Sequence, residues 1–464
     1  MSYNRGSGKN RNSHEIRKVD TDLRIKLSDH FNNRRLLQYS YPTIVMLIFT
    51  SIYMVVDGLF VSNFAGKVPF AAVNLMFPMV SVVSTLGFMV GTGGGAVVAM
   101  TLGARNKKKA NEYFSLFVYT ILVCGFVMSV LCQIFLRRIV GALGAKEELF
   151  EYCVLYCRII LLSVPFFMLQ IAFQVFFTTA EKPKLGLFVM VVSGVTNIAL
   201  DAILVGVLKY GLAGAAWATV ASELLGGIIP IVYFAGKNDS LLKLCKTSVD
   251  FRVLGRACVN GASEMMNNMS TAIVMALYNF RLMEFAGSNG VATYGVLMYV
   301  NFIFVAVFIG FAVGTSPIIS YHYGARNNPE VKNVLHRSIM IIGIFAVVMF
   351  LLAEGSAVFM TNTFVGYDPG LREMTLEAFR IYSVVFLMSG FNIYASSFFT
   401  ALGNGIVSGI LALMRSLVFQ AICIILIPAA FGLHGIWISP VASEVCATMV
   451  TLYFLIRKRH VYHY

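Results

Sequence analysis

Asp57 and Asp201 each stand inside a long apolar run, the first after Ile52-Tyr53-Met54-Val55-Val56, the second within Asn197-Ile198-Ala199-Leu200-Asp201-Ala202-Ile203. A carboxylate in such surroundings is costly, so each asks for a partner or a purpose. Asn197 lies one helical turn before Asp201, and Thr219 occupies the next apolar run. Two carboxylates, an amide and a hydroxyl are hard oxygen donors and suit a monovalent cation such as Na+. They suit H+ equally well, because two acids crowded into a low dielectric do not both ionise. The plain alternative, that these groups only hydrogen-bond neighbouring helices, stays open on the residues alone. No other metal is implied.

The elements that must position these residues follow from composition. Of 464 residues, 58% are hydrophobic and 12% charged, against about 25% charged in soluble domains. Crossing a bilayer as a helix takes about 20 apolar residues. Apolar runs between polar breaks predict helices over 36–62, 69–101, 112–137, 152–180, 185–208 and 211–235, then 257–285, 291–321, 333–360, 374–402, 406–430 and 433–456. The fold class expected is an all-α polytopic membrane protein of twelve transmembrane helices. At 1.5 Å per residue, Asp57, Asp201 and Thr219 fall roughly 8, 10 and 12 Å from the same membrane face.

The net charge of +14 is distributed by loop. Lys and Arg crowd the leading tail (1–35), Gly103 to Lys109, Lys182 and Lys184, Lys237 to Arg256, Gly324 to Arg337, and Arg457 to Arg459, while the alternate loops hold six. The positive-inside rule then places both termini in the cytoplasm and the chain in the cytoplasmic membrane. This alternation argues against nucleic acid as a partner. The first 35 residues have no apolar run to serve as a cleavable signal.

The chain also repeats itself. Gly103-Ala104-Arg105-Asn106 recurs as Gly324-Ala325-Arg326-Asn327, Phe64-Ala65-Gly66 as Phe285-Ala286-Gly287, and Gly211 to Glu223 matches Gly432 to Glu444, all at an offset of 221. Six crossings separate equivalent points, so the halves are parallel repeats about an axis along the membrane normal. The expected organisation is a tail (1–35), an N-terminal lobe (36–235), a connector (236–256), a C-terminal lobe (257–456) and a basic end (457–464). A cleft between two such lobes is an alternating-access architecture.

The repeat works as a filter. Glu223 matches Glu444, and Arg158 matches Arg380 at a local offset of 222, which marks them as architectural. Asp57 falls opposite Tyr278, Asn197 opposite Val418, Asp201 opposite Ile422 and Thr219 opposite Pro440, which marks them for a task of one half only. Glu264, opposite Thr43, is a further candidate, for a cationic substrate or a second cation. Pro42 precedes Asp57 by 15 residues and could bend that helix. Arg281 and Glu284 are spaced to form a local pair. Arg415, opposite Gly194, has no role assignable from sequence.

Other features carry little chemistry. Gly91, Gly93, Gly94 and Gly95 lie mid-run without a following Lys-Ser/Thr and read as close helix packing. Gly8-Lys9 lacks the remaining Walker residues, which disfavours an ATP-driven pump. The eight Cys are scattered and read as reduced packing residues. Without a Ser/His/Asp or metal constellation, the chain is not expected to be an enzyme and needs no cofactor beyond a coupling ion.

Val56-Asp57-Gly58-Leu59-Phe60-Val61-Ser62, the Gly-Ala-Arg-Asn loop and its echo, and Asn197-Ile198-Ala199-Leu200-Asp201 together resemble the multidrug and toxic compound extrusion (MATE) transporters over residues 36 to 456, closest to their DinF-like and staphylococcal branch. The resemblance implies export of organic cations and related drugs in exchange for H+ or Na+, with Asp57, Asn197, Asp201 and Thr219 as the N-terminal-lobe cation site. The segment around Glu264 departs from the pattern of other branches. The expected function is a secondary active multidrug antiporter, monomeric among membrane lipids. Two alternatives are a lipid-linked oligosaccharide flippase, disfavoured by twelve crossings and an acidic lobe, and a non-transporting receptor or scaffold, disfavoured by the two-lobe repeat.

Overall fold

A computed structural model describes residues 25 to 464, apart from the side chains of Leu59 and Lys67, and among these residues helix is the only regular secondary structure. Its elements are α1 (Asn33–Phe60) with a π-helical turn (Val61–Ala65), α2 (Lys67–Gly103), α3 (Lys107–Ala142), α4 (Glu147–Ile160), α5 (Val164–Thr179), α6 (Pro183–Asp201) with a π-helical turn (Ala202–Val207), and α7 (Gly211–Ala235). The second half comprises α8 (Phe251–Asn260), α9 (Ala262–Gly324), α10 (Asn328–Val365), α11 (Pro369–Ser383), α12 (Phe386–Ala401), α13 (Gly405–Leu413) with a π-helical turn (Met414–Val418), and α14 (Phe419–Tyr462).

Two of these helices are hairpins. A straight helix of the length of α9 would run about 95 Å, three bilayers' worth. Yet the rings of Tyr278 and Tyr294 stack with centroids 5.0 Å apart, although sixteen residues of straight helix would separate them by about 24 Å. The chain reverses at Gly287, whose φ of 60° and ψ of −148° suit a residue without Cβ. In α14 it reverses at Gly432, φ 57°, and there Ser439 Oγ donates to Cys423 O at 3.1 Å. Counting both hairpins and the two bent pairs α4–α5 and α11–α12, the described residues hold twelve crossings.

The backbone repeats as the sequence does. Gly66 and Gly287, then Gly211 and Gly432, take positive φ at matching positions, as do Arg105 (60°) and Arg326 (57°). Asn106 and Asn327 cap the following helices by accepting from the amides of Lys109 and Glu330. The two lobes are thus built from one plan, each with its own apolar core.

Three details differ from the sequence expectations. The helices expected over 152–180 and 374–402 are each bent, by 60° and 48°. At the first bend Pro165 has no N–H to continue the ladder, and Ser129 Oγ donates to the freed Leu161 carbonyl at 2.5 Å. Second, the connector ends in the short helix α8, which packs on α2. Third, residues 25–32, counted with the tail from sequence, belong to the bundle: Leu27 and Phe31 are fully buried, Leu27 N donates to Glu181 and Phe31 N to Glu330. The tail up to residue 24 lies outside the described residues.

The lobes touch in the half of the bundle nearer the Gly-Ala-Arg-Asn loops, the basic face. A Cβ on Gly103 would fall 1.9 Å from Tyr321 O, and one on Gly324 2.1 Å from Met100 O. Gly93 would meet Ala257 O at 2.0 Å, and its counterpart Gly314 would meet Ser40 Cβ at 2.7 Å. These glycines let backbones touch and shut the basic face. Gly91 and Gly94, pressed on Ala172 and Phe117, serve packing within a lobe.

Candidate cation site in the N-terminal lobe

Asp57 lies one turn before the π-helical turn that ends α1, and Asp201 is the last α-helical residue before the π-helical turn after α6. Such turns shift side chains off the regular helical register and recur at functional sites. Here both carboxylates are aimed between α1, α6 and α7. Asp57 and Asp201 come within hydrogen-bonding reach of each other, and Asn197 reaches Asp57.

Asp201 and Asn197 are 0% and 1% exposed. Among the described residues no donor serves Asp57 Oδ1, Asn197 Oδ1 or either Asp201 oxygen. Two carboxylates can hydrogen-bond each other only through a proton, and two unit charges about 4 Å apart repel by about 4 kcal/mol even at an effective dielectric of about 20. The geometry therefore calls for a positive charge between them, and the oxygen set fits H+ or a small monovalent cation. No three His, Cys, Asp or Glu among the described residues gather where one metal ion could be held.

The remaining candidates fall as follows. Thr219 donates to Ala215 O at 3.1 Å on α7, one turn before Glu223, and among the described residues no bond joins it to the aspartates. Pro42 is the tenth residue of α1, inside the helix rather than in its first turn, and α1 continues through it; the irregular turn near Asp57 is at Val61–Ala65. Glu264 is in the first turn of α9, in the other lobe, and lines a cavity where Thr92 and Val175 of the N-terminal lobe face Val313, Ser316, Ser397 and Thr400. Arg281 and Glu284 pair at 2.6 Å.

Arg415 acquires surroundings the sequence did not supply. Its guanidinium bonds Glu444 Oε1 at 3.4 Å and Asn267 Oδ1 at 3.2 Å, and it lies within electrostatic reach of Glu264. Asn392 donates to Glu444 Oε2 at 2.7 Å. The place of Asp57 is taken by Tyr278, bonded to Gln420 at 2.8 Å. The C-terminal lobe thus carries its own cation and a neutral pair where the N-terminal lobe carries bare acids. Sequence reasoning missed Tyr53, Tyr156 and Glu223, which all lie near enough for the charge of Asp57 to bear on them. Tyrosines in apolar runs give no signal, and Glu223 was discounted for having a partner in the repeat.

Comparison with known proteins bears on the family and the fold. The MatE family profile matches residues 42–203 and 264–426, one match in each lobe. The chain is 26% identical over 419 residues to a protein of Staphylococcus haemolyticus named multidrug export protein MepA, covering 89% of this chain and 91% of the relative. A protein of that name from a Staphylococcus aureus strain is 24% identical over 431 residues, covering 92% and 94%. Among solved structures, MATE in a straight conformation superposes with a TM-score of 0.88 at 22% identity, covering 94% of this chain and 98% of the other. A Pyrococcus furiosus transporter of the MOP superfamily gives 0.86 at 22% identity, with the same coverage.

Proposed function

This chain belongs to the MatE family, and from that premise we propose that it is a secondary active multidrug exporter, passing organic, often cationic and amphipathic compounds outward in exchange for H+ or Na+ bound between Asp57 and Asp201. The observation that carries the reading is the facing pair of carboxylates with no protein cation, in which both oxygens of the buried Asp201 and one of Asp57 lack a donor. A site of this kind is stable when charged from outside and costly when empty.

In this reading the protein is a monomer in the cytoplasmic membrane with its basic face and both ends inward. The arrangement with that face shut accepts the coupling ion from outside and releases substrate. Neutralising Asp57 and Asp201 relieves their repulsion at the junction of α1, α6 and α7. Because the basic-face half of α1 packs into the C-terminal lobe through Leu36, Tyr39 and Ile44, movement of its other half relative to that anchor is a route by which ion binding biases the lobes. Asn197 and Thr219 assist as neutral oxygen donors, and Glu264 in the cleft favours a positively charged substrate.

The test is efflux of ethidium from proteoliposomes, with sodium and proton gradients imposed separately. Gradient-driven flux lost in both Asp57→Asn and Asp201→Asn is the expected result and names the ion. Flux indifferent to both substitutions, or absent from the wild type, overturns the reading.

A further inference from the structure

The repeat provides an internal control for Glu223. Its counterpart Glu444 is held by a permanent cation, Arg415, and by Asn392. The residue equivalent to Arg415 in the N-terminal lobe is Gly194, packed against Phe49 and Tyr53. Glu223 is 7% exposed and receives one side-chain bond, from Ser163 Oγ at 2.5 Å. The same acid is therefore neutralised by the protein in one lobe and left without a protein cation in the other.

The groups facing Glu223 are known from each neighbouring element. Tyr53 and Asp57 approach from α1, Tyr156 from α4 and Ser163 from the α4–α5 bend, and Asp201 of α6 lies near enough to act on Tyr156. None of these is basic. Glu223, Asp57 and Asp201 do not converge on a point able to hold one ion, so Glu223 is not a further ligand of the ion between the aspartates. It stands one turn of α7 inward from Thr219, a rise of about 6 Å.

Resting on the exporter reading above, we infer that Glu223 is a second charge-accepting station of the N-terminal lobe, taking up a proton of its own in each cycle, so that two positive charges enter per substrate. With one hydroxyl donor and two phenol walls, its carboxylate has a partner suited to proton exchange rather than a cage of oxygen ligands for a metal cation. The proton enters as Glu223 becomes neutral and leaves as Ser163 re-forms its bond to the ionised carboxylate. Because Ser163 is at the bend between α4 and α5, the same step loads or releases that hinge.

The experiment compares the full chain with Glu223→Gln and Glu444→Gln, in two readouts. In proteoliposomes held at zero membrane potential, the ion gradient at which net ethidium flux stops gives the number of coupling ions per substrate, expected to fall from two to one in Glu223→Gln and to stay at two in Glu444→Gln. In detergent, infrared difference spectra between acid and alkaline buffer report protonated carboxyl bands without needing transport. Glu223→Gln is expected to remove one band and Glu444→Gln none. A Glu223→Gln protein with wild-type stoichiometry and bands overturns the inference while leaving the exporter reading intact. Loss of flux in the wild type, with the Glu223 band still present, overturns the exporter reading instead. Should Glu223→Gln not assemble, Ser163→Ala serves: it is expected to move the band's titration toward higher pH, and an unmoved titration overturns the proposal.

Discussion

Gly103→Ala is the smallest change that tests how the basic face is held shut. The added methyl would lie 1.9 Å from Tyr321 O and 2.9 Å from Ala325 N. A carbon–oxygen contact needs about 3.3 Å, so the ends of α2 and α9 must part by about 1.4 Å. Backbone stands on both sides of the contact and no rotamer relieves it. Overpacking of this kind costs about 1–3 kcal/mol, which is a shift of about 5- to 150-fold in the balance between two conformations. The arrangement with the basic face apart should gain by that factor. Nitroxide labels at the exposed positions Lys108 and Lys332 would report it by pulsed electron resonance, as a second, longer distance absent from the wild type. Gly324→Ala should act alike, its methyl falling 2.1 Å from Met100 O. Gly343→Ala, with nothing within 4 Å, should leave the distances unchanged. Wild-type distances in both Gly103→Ala and Gly324→Ala would refute the reasoning.

Two further outcomes follow from buried polar pairs. Arg415→Gln leaves Glu444 without its cation, at a cost of about 3–5 kcal/mol, read as a lowered Tm of the detergent-solubilised protein; adding Glu444→Gln in the same chain should recover most of it. Ser129→Ala strands the Leu161 carbonyl beside Pro165 at a cost of about 1–3 kcal/mol, and an unchanged Tm would show that the bend does not depend on that bond.

Much of the fold was legible because each crossing is a long apolar run and each reversal has a polar or glycine break. The bend before Pro165 is the kind of detail a run of apolar residues hides, since the proline reads equally as a first-turn residue. Residues 25–32 escaped notice because two buried side chains, Leu27 and Phe31, do not make an apolar run; their burial depends on Glu181 and Glu330, 154 and 299 residues away in sequence from the amides they bind. At the site, Asp57, Asn197 and Asp201 were legible as oxygen donors lacking counterparts in the other half. Glu223 was not, because identity across the repeat was taken for identity of role. The two glutamates differ in what faces them, Arg415 or Gly194, and that difference appears only when the counterpart of the neighbour is examined as well as that of the acid.

The contact of Gly103 with Tyr321, and of Gly324 with Met100, has the form of a self-complementary surface: position 100 is the counterpart of 321, and 103 of 324. In such an isologous contact each partner is both lock and key. Elsewhere the halves are free to diverge, as Asp57 and Tyr278 have done. Along this seam a change in one half must fit the unaltered surface of the other, so the seam constrains both copies at once. That constraint falls on Gly103 and Gly324 alike, since a side chain at either would meet backbone of the other half.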